Sequence, residues 1–480
     1  MVKRSKKNNK LKGGKPYIGR FFREINTLTA HSKWIHSVAF DQTGQFMVTG
    51  SADTTAKVWR FSPDGTIDQS PVSTLEGHSG PILSVSFHPS GHFLATGSGD
   101  NTTRVWRMLP DGTVYKSPVS TLKGHSLYVR SVQFDPTGRL FATGSGDKTA
   151  LIWRVLTDGT VDQSPVSTLA GHSGPVLSVA FDPTGQFLAT GSKDNTTRVC
   201  RLLHNGTVDT SSVSTLAGHS GPVLSVAFDQ TGRFLATGSQ DNTARLWRVL
   251  PDGTVHPSPV STLEGHIEHV RCVAFHPSGH FLATGSYDKT VKLWRIRPDG
   301  SNPKCIETLP EYSDIITTVS FDPSGNLLAT DGDLGNVKLW DCSKINEYLR
   351  RRALTHGILA TKAIKELTTE NKKLSNAVQG RIGNPPDTQQ NRQRQAEIVR
   401  KKYEGLPRVP ISFTQCDRCR AADAEAAAWA EIDPQYRVYF NEMSISQCND
   451  CPGVAKVIQT DEMPGGRMSR KKVNKRLSRQ

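Results

Sequence analysis

Val166-Ser-Thr-Leu-Ala-Gly-His172-Ser-Gly-Pro-Val-Leu-Ser-Val-Ala-Phe181-Asp-Pro-Thr-Gly185-Gln-Phe-Leu-Ala-Thr190-Gly-Ser-Lys-Asp194-Asn-Thr-Thr-Arg-Val-Cys200 consists of short β-branched and apolar runs divided by turn residues. Its spacing predicts a strand over Val176 to Phe181, a turn at Asp182 to Gly185, and a second strand from Phe187 to Thr190. A turn at Lys193 to Asn195 leads to a third strand, Thr197 to Leu202. Asn205-Gly206 then turns into a fourth, which ends near Leu216. The pattern repeats along the chain. His31, His78, His125, His172, His219 and His266 follow one another every 47 residues, and Tyr312 stands 46 further on in the same register. Four short antiparallel strands per unit, seven times over, exclude a helical solenoid.

The units carry Gly-His pairs at Gly77-His78, Gly124-His125, Gly171-His172, Gly218-His219 and Gly265-His266. Strand-end tryptophans stand at Trp59, Trp106, Trp153, Trp247, Trp294 and Trp340, and turn aspartates at Asp53, Asp100, Asp147, Asp194, Asp241 and Asp288. With these residues the chain resembles the WD40-repeat family over residues 23–342, although the literal Trp-Asp pair survives only at Trp340-Asp341. The resemblance implies an all-β fold, a seven-bladed β-propeller. Outer strands precede each marker, Cys305 to Leu309 before the last unit and Ile25 to Leu28 before the first. The Ile25 to Leu28 strand has no blade of its own, so it is expected to complete the blade built from Ile315 to Trp340 and close the ring. Deleting residues 21–30 should then destabilise the whole ring.

The recurring His, Ser and Asp, as in His78, Ser98 and Asp100, superficially suggest a hydrolytic triad. A catalytic set would not be copied six times. The resemblance implies a structural tetrad instead, His78, Ser98, Asp100 and Trp106, hydrogen-bonded inside each blade. The chain is therefore read as no enzyme. Unit seven departs from the pattern, with Tyr312 for the histidine and Leu334 in the aspartate register; unit four has Cys200 for the tryptophan, a buried apolar thiol. Gly144-Ser-Gly-Asp-Lys-Thr149 lacks the adjacent Gly-Lys-Thr of a phosphate loop. Asn101-Thr-Thr103 and Asn205-Gly-Thr207 match glycosylation acceptors without any sign of secretion.

Where the units differ is informative. The turn Pro-Asp-Gly after the third strand barely changes, while variation collects after the marker histidine and before the turn aspartate. Units two, four and five read Ser-Gly-Pro after the histidine, where unit one has Lys33-Trp34, unit three Leu127-Tyr128 and unit six Glu268-His269. Two residues on, leucine becomes His36, Arg130 and Arg271. Before the aspartate lie Ala52, Gly99, Gly146, Lys193, Gln240 and Tyr287. In the family fold these loops share one rim. Trp34, His36, Tyr128, Arg130, His269, Arg271 and Tyr287 are thus expected around one mouth of the channel, as a partner-binding surface or as drift on solvated loops.

The chain has 480 residues, 36% hydrophobic and 21% charged, a globular composition with no apolar run long enough to span a membrane. The basic first twenty residues do not resemble a signal peptide, so an intracellular setting, nuclear or cytoplasmic, is expected. Residues 1–20 hold eight Lys or Arg and no acid, and residues 467–480 hold seven and none, together the whole net charge of +15. After the propeller, residues 344–378 and Gln389 to Tyr403 read as helices, able to pack on the propeller, pair with a partner or act as a spacer. Cys416-Asp-Arg-Cys419 and Cys448-Asn-Asp-Cys451 form two Cys-x-x-Cys pairs separated by 28 residues, longer than a minimal ribbon; each pair suits a zinc knuckle, the alternative being redox or idle thiols. A predicted helix over Ala421 to Ile432 and a strand over Tyr436 to Phe440 lie between them. No histidine follows His356, so the cysteines Cys416, Cys419, Cys448 and Cys451 would serve one closed, structural zinc ion.

The expected organisation is a basic tail (1–22), the propeller (23–342), a helical linker (343–408), a zinc module (409–460) and a second basic tail (461–480). Two functions remain open. The first is a non-catalytic scaffold that docks proteins on the rim, with the zinc module and tails adding a second contact. The second is a nucleic-acid-associated factor whose tails and zinc module bind DNA or RNA.

Overall fold

The computed structural model describes residues 19–353, apart from 63–64, 251 and 310–311. Among the described residues, the strands form seven four-stranded antiparallel sheets. In the fourth blade the strands are Val176–Phe181, Phe187–Ser192, Thr197–Leu202 and Val208–Leu216, in that order from the axis outwards. These match the spans read from the sequence to within two residues. Inner strands of successive blades neighbour one another around the ring.

The last sheet is built from both ends of the repeat region. Arg23–Thr29 pairs antiparallel with Asn336–Asp341, in a register running from Arg23 opposite Asp341 to Thr29 opposite Asn336. The expected closure is therefore present: the first strand of the chain covers the outer side of Asn336–Asp341 and completes the fourth place of blade seven. The folded body begins earlier and ends later than the repeat. Phe21 and Phe22 are buried in the core between blades six and seven. Phe21 packs edge-on against Tyr348 at 5.7 Å. Residues 343–353 are helical, and Ile345 is fully buried against the same cluster. The first turns of the post-propeller helix thus pack on the ring; the rest of the segment expected to be helical lies outside the described residues.

The core is divided among the seams between blades, where large side chains from one sheet meet the next. A glycine on the second strand of the first six blades permits this approach. A Cβ built on Gly285 would lie 2.5 Å from Cγ2 of Ile316 in the following blade. The seams also share a polar belt. Ser37, Ser84, Ser131, Ser178 and Ser225 each accept, through Oγ, the amide of a valine one blade on, as Ser84 does from Val132 at 3.1 Å. Thr318 accepts from Val38 and carries the belt across the closing seam at 3.3 Å.

Blade seven breaks the glycine rule, with Asp331 where the other blades have Gly. Its Oδ1 accepts the amides of Thr317 and Thr318 at 2.8 and 3.0 Å. The side chain takes amides that elsewhere serve the ladder, so the inner strand shrinks to Val319–Phe321. The Thr317 hydroxyl lies 2.6 Å from Oδ2 of Asp331 and 2.7 Å from the carbonyl of Ile35. One hydroxyl proton cannot serve two acceptors. The arrangement closes when Asp331 is protonated and donates to Thr317, which then donates to Ile35. Burial acts in the same direction and pushes the Asp331 carboxyl up to about 7 against the pull of its hydrogen bonds.

Candidate functional site

The repeated histidines come first. His78 Nδ1 lies 2.7 Å from Asp100 Oδ2, and Nε2 lies 2.8 Å from Thr96 Oγ1. Trp106 donates its indole N–H to the same Thr96 oxygen at 3.0 Å. An indole only donates, so Thr96 accepts from Trp106, and with a neutral imidazole the order continues from Thr96 to His78 Nε2 and from His78 Nδ1–H to Asp100. This order requires a neutral imidazole, and burial does lower His78 despite the pull of Asp100. Burial pushes Asp100 up, but hydrogen bonds from Thr102 and His78 outweigh it and hold the carboxyl at about 2. The imidazole, Thr96 and Trp106 are buried, and Asp100 is partly exposed at its turn.

The hydroxyl in the chain is thus Thr96, and Ser98 stands beside it. Ser98 donates to the carbonyl of Gly80 at 3.1 Å and accepts the amide of Asp100, fixing the turn that holds the aspartate. Thr49, Thr143, Thr190, Thr237 and Thr284 occupy the same place in their blades. In blade seven the Tyr312 hydroxyl replaces the imidazole at 2.8 Å from Thr330, which still accepts from Trp340. Leu334, in the aspartate register, is exposed. In blade four Cys200 is buried, and burial pushes its thiol up to about 12, which leaves it unreactive.

The two variable loops meet at one rim. The carbonyls of Trp34, Tyr128 and His269 accept the amides of Ala52, Gly146 and Tyr287, each just before a turn aspartate. Four of the seven rim residues line one cavity of about 280 Å³: Arg130, His269, Arg271 and Tyr287. Leu177, Leu224 and Gln240 complete its wall. The His269 and Tyr287 rings lie 5.3 Å apart and tilted by 35°. Arg130 and Arg271 each donate once to an inner-strand carbonyl of the preceding blade, Leu83 at 3.0 Å and Leu224 at 3.4 Å. His36 does not line the cavity, but burial and then the Arg271 charge lower its pKa.

The remaining two take different roles. Tyr128 covers Gly146; a Cβ there would lie 2.6 Å from its ring. Trp34 points outward, 52% exposed, and donates to Asp314 in blade seven. Leu127, 48% exposed, and Ile267, 80% exposed, stand on the same loops. Both leucines of the cavity wall escaped the sequence reading because they are the plain residue of their register. Gln240 stood in a variable position but was neither aromatic nor cationic. Asp331 was legible only as an acid among glycines.

Cys416, Cys419, Cys448, Cys451, residues 1–18 of the first basic tail and all of the second lie outside the described residues, while residues 21–22, expected in the tail, belong to the folded body. Among the described residues, no helix is long and apolar enough to cross a membrane.

The family model of the WD domain, G-beta repeat, matches residues 22–60, 69–107, 116–154, 163–200, 210–248, 257–295 and 303–341. The chain belongs to the WD40-repeat family, with seven repeats in one closed seven-bladed β-propeller. Propellers of this family generally act as platforms for other proteins and are typically non-catalytic. No curated protein matches the chain in a search of such proteins.

Proposed function

We propose that this protein is a non-catalytic scaffold that docks a protein partner on the rim carrying Trp34, Tyr128 and Ile267. The observation that carries the reading is the exposed apolar set Trp34, Leu127 and Ile267, on loops where the other blades have Ser, Gly or Pro. Large exposed side chains on a rigid frame supply binding energy, and desolvating a half-exposed tryptophan contributes on the order of 2 kcal/mol. A photo-crosslinking residue placed at Ile267, and separately at Leu156 away from these loops, tests it in cells. A partner joined covalently from position 267, absent from position 156 and lost with Trp34→Ala, is the expected result. Equal labelling from both sites refutes it.

The second contact is the C-terminal region. The spacing of Cys416, Cys419, Cys448 and Cys451 supports a single structural zinc, and the fifteen basic residues at the two ends support binding to nucleic acid. Zinc content of the purified full chain, against a Cys416→Ser, Cys419→Ser variant, tests the metal. One equivalent falling to none is expected. Nucleic-acid binding by the tails alone is blind to sequence and falls steeply with salt.

A further inference from the structure

The register that lines the inner mouth of the ring reads His36, Leu83, Arg130, Leu177, Leu224, Arg271 and Thr317. Leucine fills it in three blades, so the fold does not require arginine there. The two arginines that break the rule line one cavity with Gln240, His269 and Tyr287. Each guanidinium has five N–H donors and spends one on a backbone carbonyl. Among the described residues, no carboxylate lies within ion-pair distance of either. The Gln240 amide and the Tyr287 hydroxyl also form no hydrogen bond to another described residue. The acid whose charge is felt beside Arg271, through their shared neighbour Cys272, is Asp331. Its oxygens are committed to Thr317 and Thr318, and it forms no ion pair with either guanidinium. The cavity therefore gathers donors and positive charge over an apolar wall, Leu177 and Leu224, with no carboxylate of the described residues paired to either guanidinium. Charges in a narrow mouth of low dielectric focus their field on whatever enters.

We propose that this cavity is an anion pocket which takes one acidic side chain, a carboxylate or a phosphate, from a peptide segment of the partner docked on the rim. The proposal rests on the docking reading above and names the chemistry of its central contact. A space of about 280 Å³ suits a single side chain, not a folded element. The exposed Trp34, Leu127 and Ile267 stand on the loops of the same rim and offer apolar contact to the flanking residues. Arg130 and Arg271 supply planar forks for the two oxygens of a carboxylate or the three of a phosphate.

The test uses the full chain and four degenerate dodecapeptide pools with the central residue fixed as Glu, phosphoserine, Gln or Lys, plus a twelve-residue oligothymidylate. The comparison protein is Arg130→Leu, Arg271→Leu, which installs the residue that three other blades already carry, with unfolding temperature as the control for folding. Expected is at least tenfold tighter binding of the Glu or phosphoserine pool than of the Gln pool, with the preference gone in the double variant. The stronger of those two pools identifies the source of the anion. A preference that survives in the double variant belongs to the basic tails and overturns the proposal. Equal binding of the Glu, phosphoserine and Gln pools overturns the anion pocket while leaving the docking reading intact. No binding by any pool overturns both. Arginine-dependent binding of the oligothymidylate without peptide preference overturns it in favour of nucleic acid.

Discussion

The indole N–H of Trp34 donates to the carboxylate of Asp314 across 3.1 Å, joining blade one to blade seven on the rim. A second tie crosses the outer edge of the same blade, the ion pair of Arg23 and Asp341 at 3.0 Å. Both are exposed, and exposed polar contacts contribute little, about 0–1 kcal/mol each. The closing strand contributes through Leu28, buried with Trp59 and Leu339. Leu28→Ala is expected to cost about 2–5 kcal/mol, against under about 1 kcal/mol for Arg23→Ala or Trp34→Phe. Denaturant unfolding measures all three; a larger loss from Arg23→Ala than from Leu28→Ala would move the closure energy to the surface.

Thr96 and Ser98 make separable predictions. Thr96→Val leaves the Trp106 indole without an acceptor and His78 Nε2 without a donor, both buried, and should cost about 2–4 kcal/mol. Ser98→Ala removes a bond to the Gly80 carbonyl and one from the Asp100 amide, and should cost about 1 kcal/mol. Thr96→Ser keeps the hydroxyl and should stay near wild type. Thermal unfolding of the three variants decides the order.

Asp331 makes stability fall as pH rises. In the unfolded chain its carboxyl titrates near 4, and in the folded one near 7. Between those values the folded state holds a proton that the unfolded state has lost. The penalty therefore grows upward from about pH 4 and is complete above about pH 7, where it approaches roughly 4 kcal/mol. Asn at this place keeps the pattern: its oxygen accepts the two amides and its N–H donates to Thr317. Asp331→Asn should match wild type at pH 4 and exceed it increasingly toward pH 8. Parallel unfolding curves at all pH values would show that Asp331 is ionised in the fold. His31, His78, His125 and His172 act in the opposite sense, because burial lowers each of them. A folded value below the unfolded one loses stability as pH falls through about 6.5. Asp331→Asn should therefore move the pH of greatest stability upward.

Lys148 sits at a backbone φ of 74°, in the turn where Asn101, Asn195 and Asn242 take the same left-handed conformation. Those asparagines also reach the next blade: Asn101 donates to the Ser126 carbonyl at 3.3 Å and Asn195 to that of Ser220 at 3.4 Å. Lysine tolerates this region less well. Lys148→Asn should raise stability by about 0.5–1 kcal/mol, read as a shift in denaturant midpoint without a change in slope. A destabilised variant would refute the use of one blade as a template for another.

How far the sequence carried differs by level. Strand spans and ring closure were legible because a 47-residue period and turn residues at fixed places leave few alternatives. The choice between Thr96 and Ser98 was not, for a physical reason. The two hydroxyls stand two apart on one strand and so face the same side. Only the register of that strand against the loop carrying His78 separates them. The rim was legible as a set of departures, yet only part of it forms the cavity. Tyr128 turned inward to cover Gly146, and Trp34 turned outward to Asp314. Those orientations depend on neighbours one blade away, which spacing within a unit does not report. Asp331 stands in the glycine register, outside the histidine and aspartate registers of its unit, and spacing alone does not report that its carboxyl turns back onto the inner strand.

Arg23 and Asp341, which pair in the closing sheet, are separated by 318 residues of chain. A ribosome must therefore synthesise all seven repeats before the first strand has its mate. Until then Leu28, Phe21 and Phe22 have no seam to enter, and the nascent blades form an open stack with two sticky flanks. Contacts of such long sequence separation form late and slowly. The unclosed intermediate exposes strand edges of nearly identical sequence, each able to pair with the wrong repeat or with another chain. Protection by a chaperone during synthesis, rather than the strength of any single blade, would then set how much of this protein reaches its closed form.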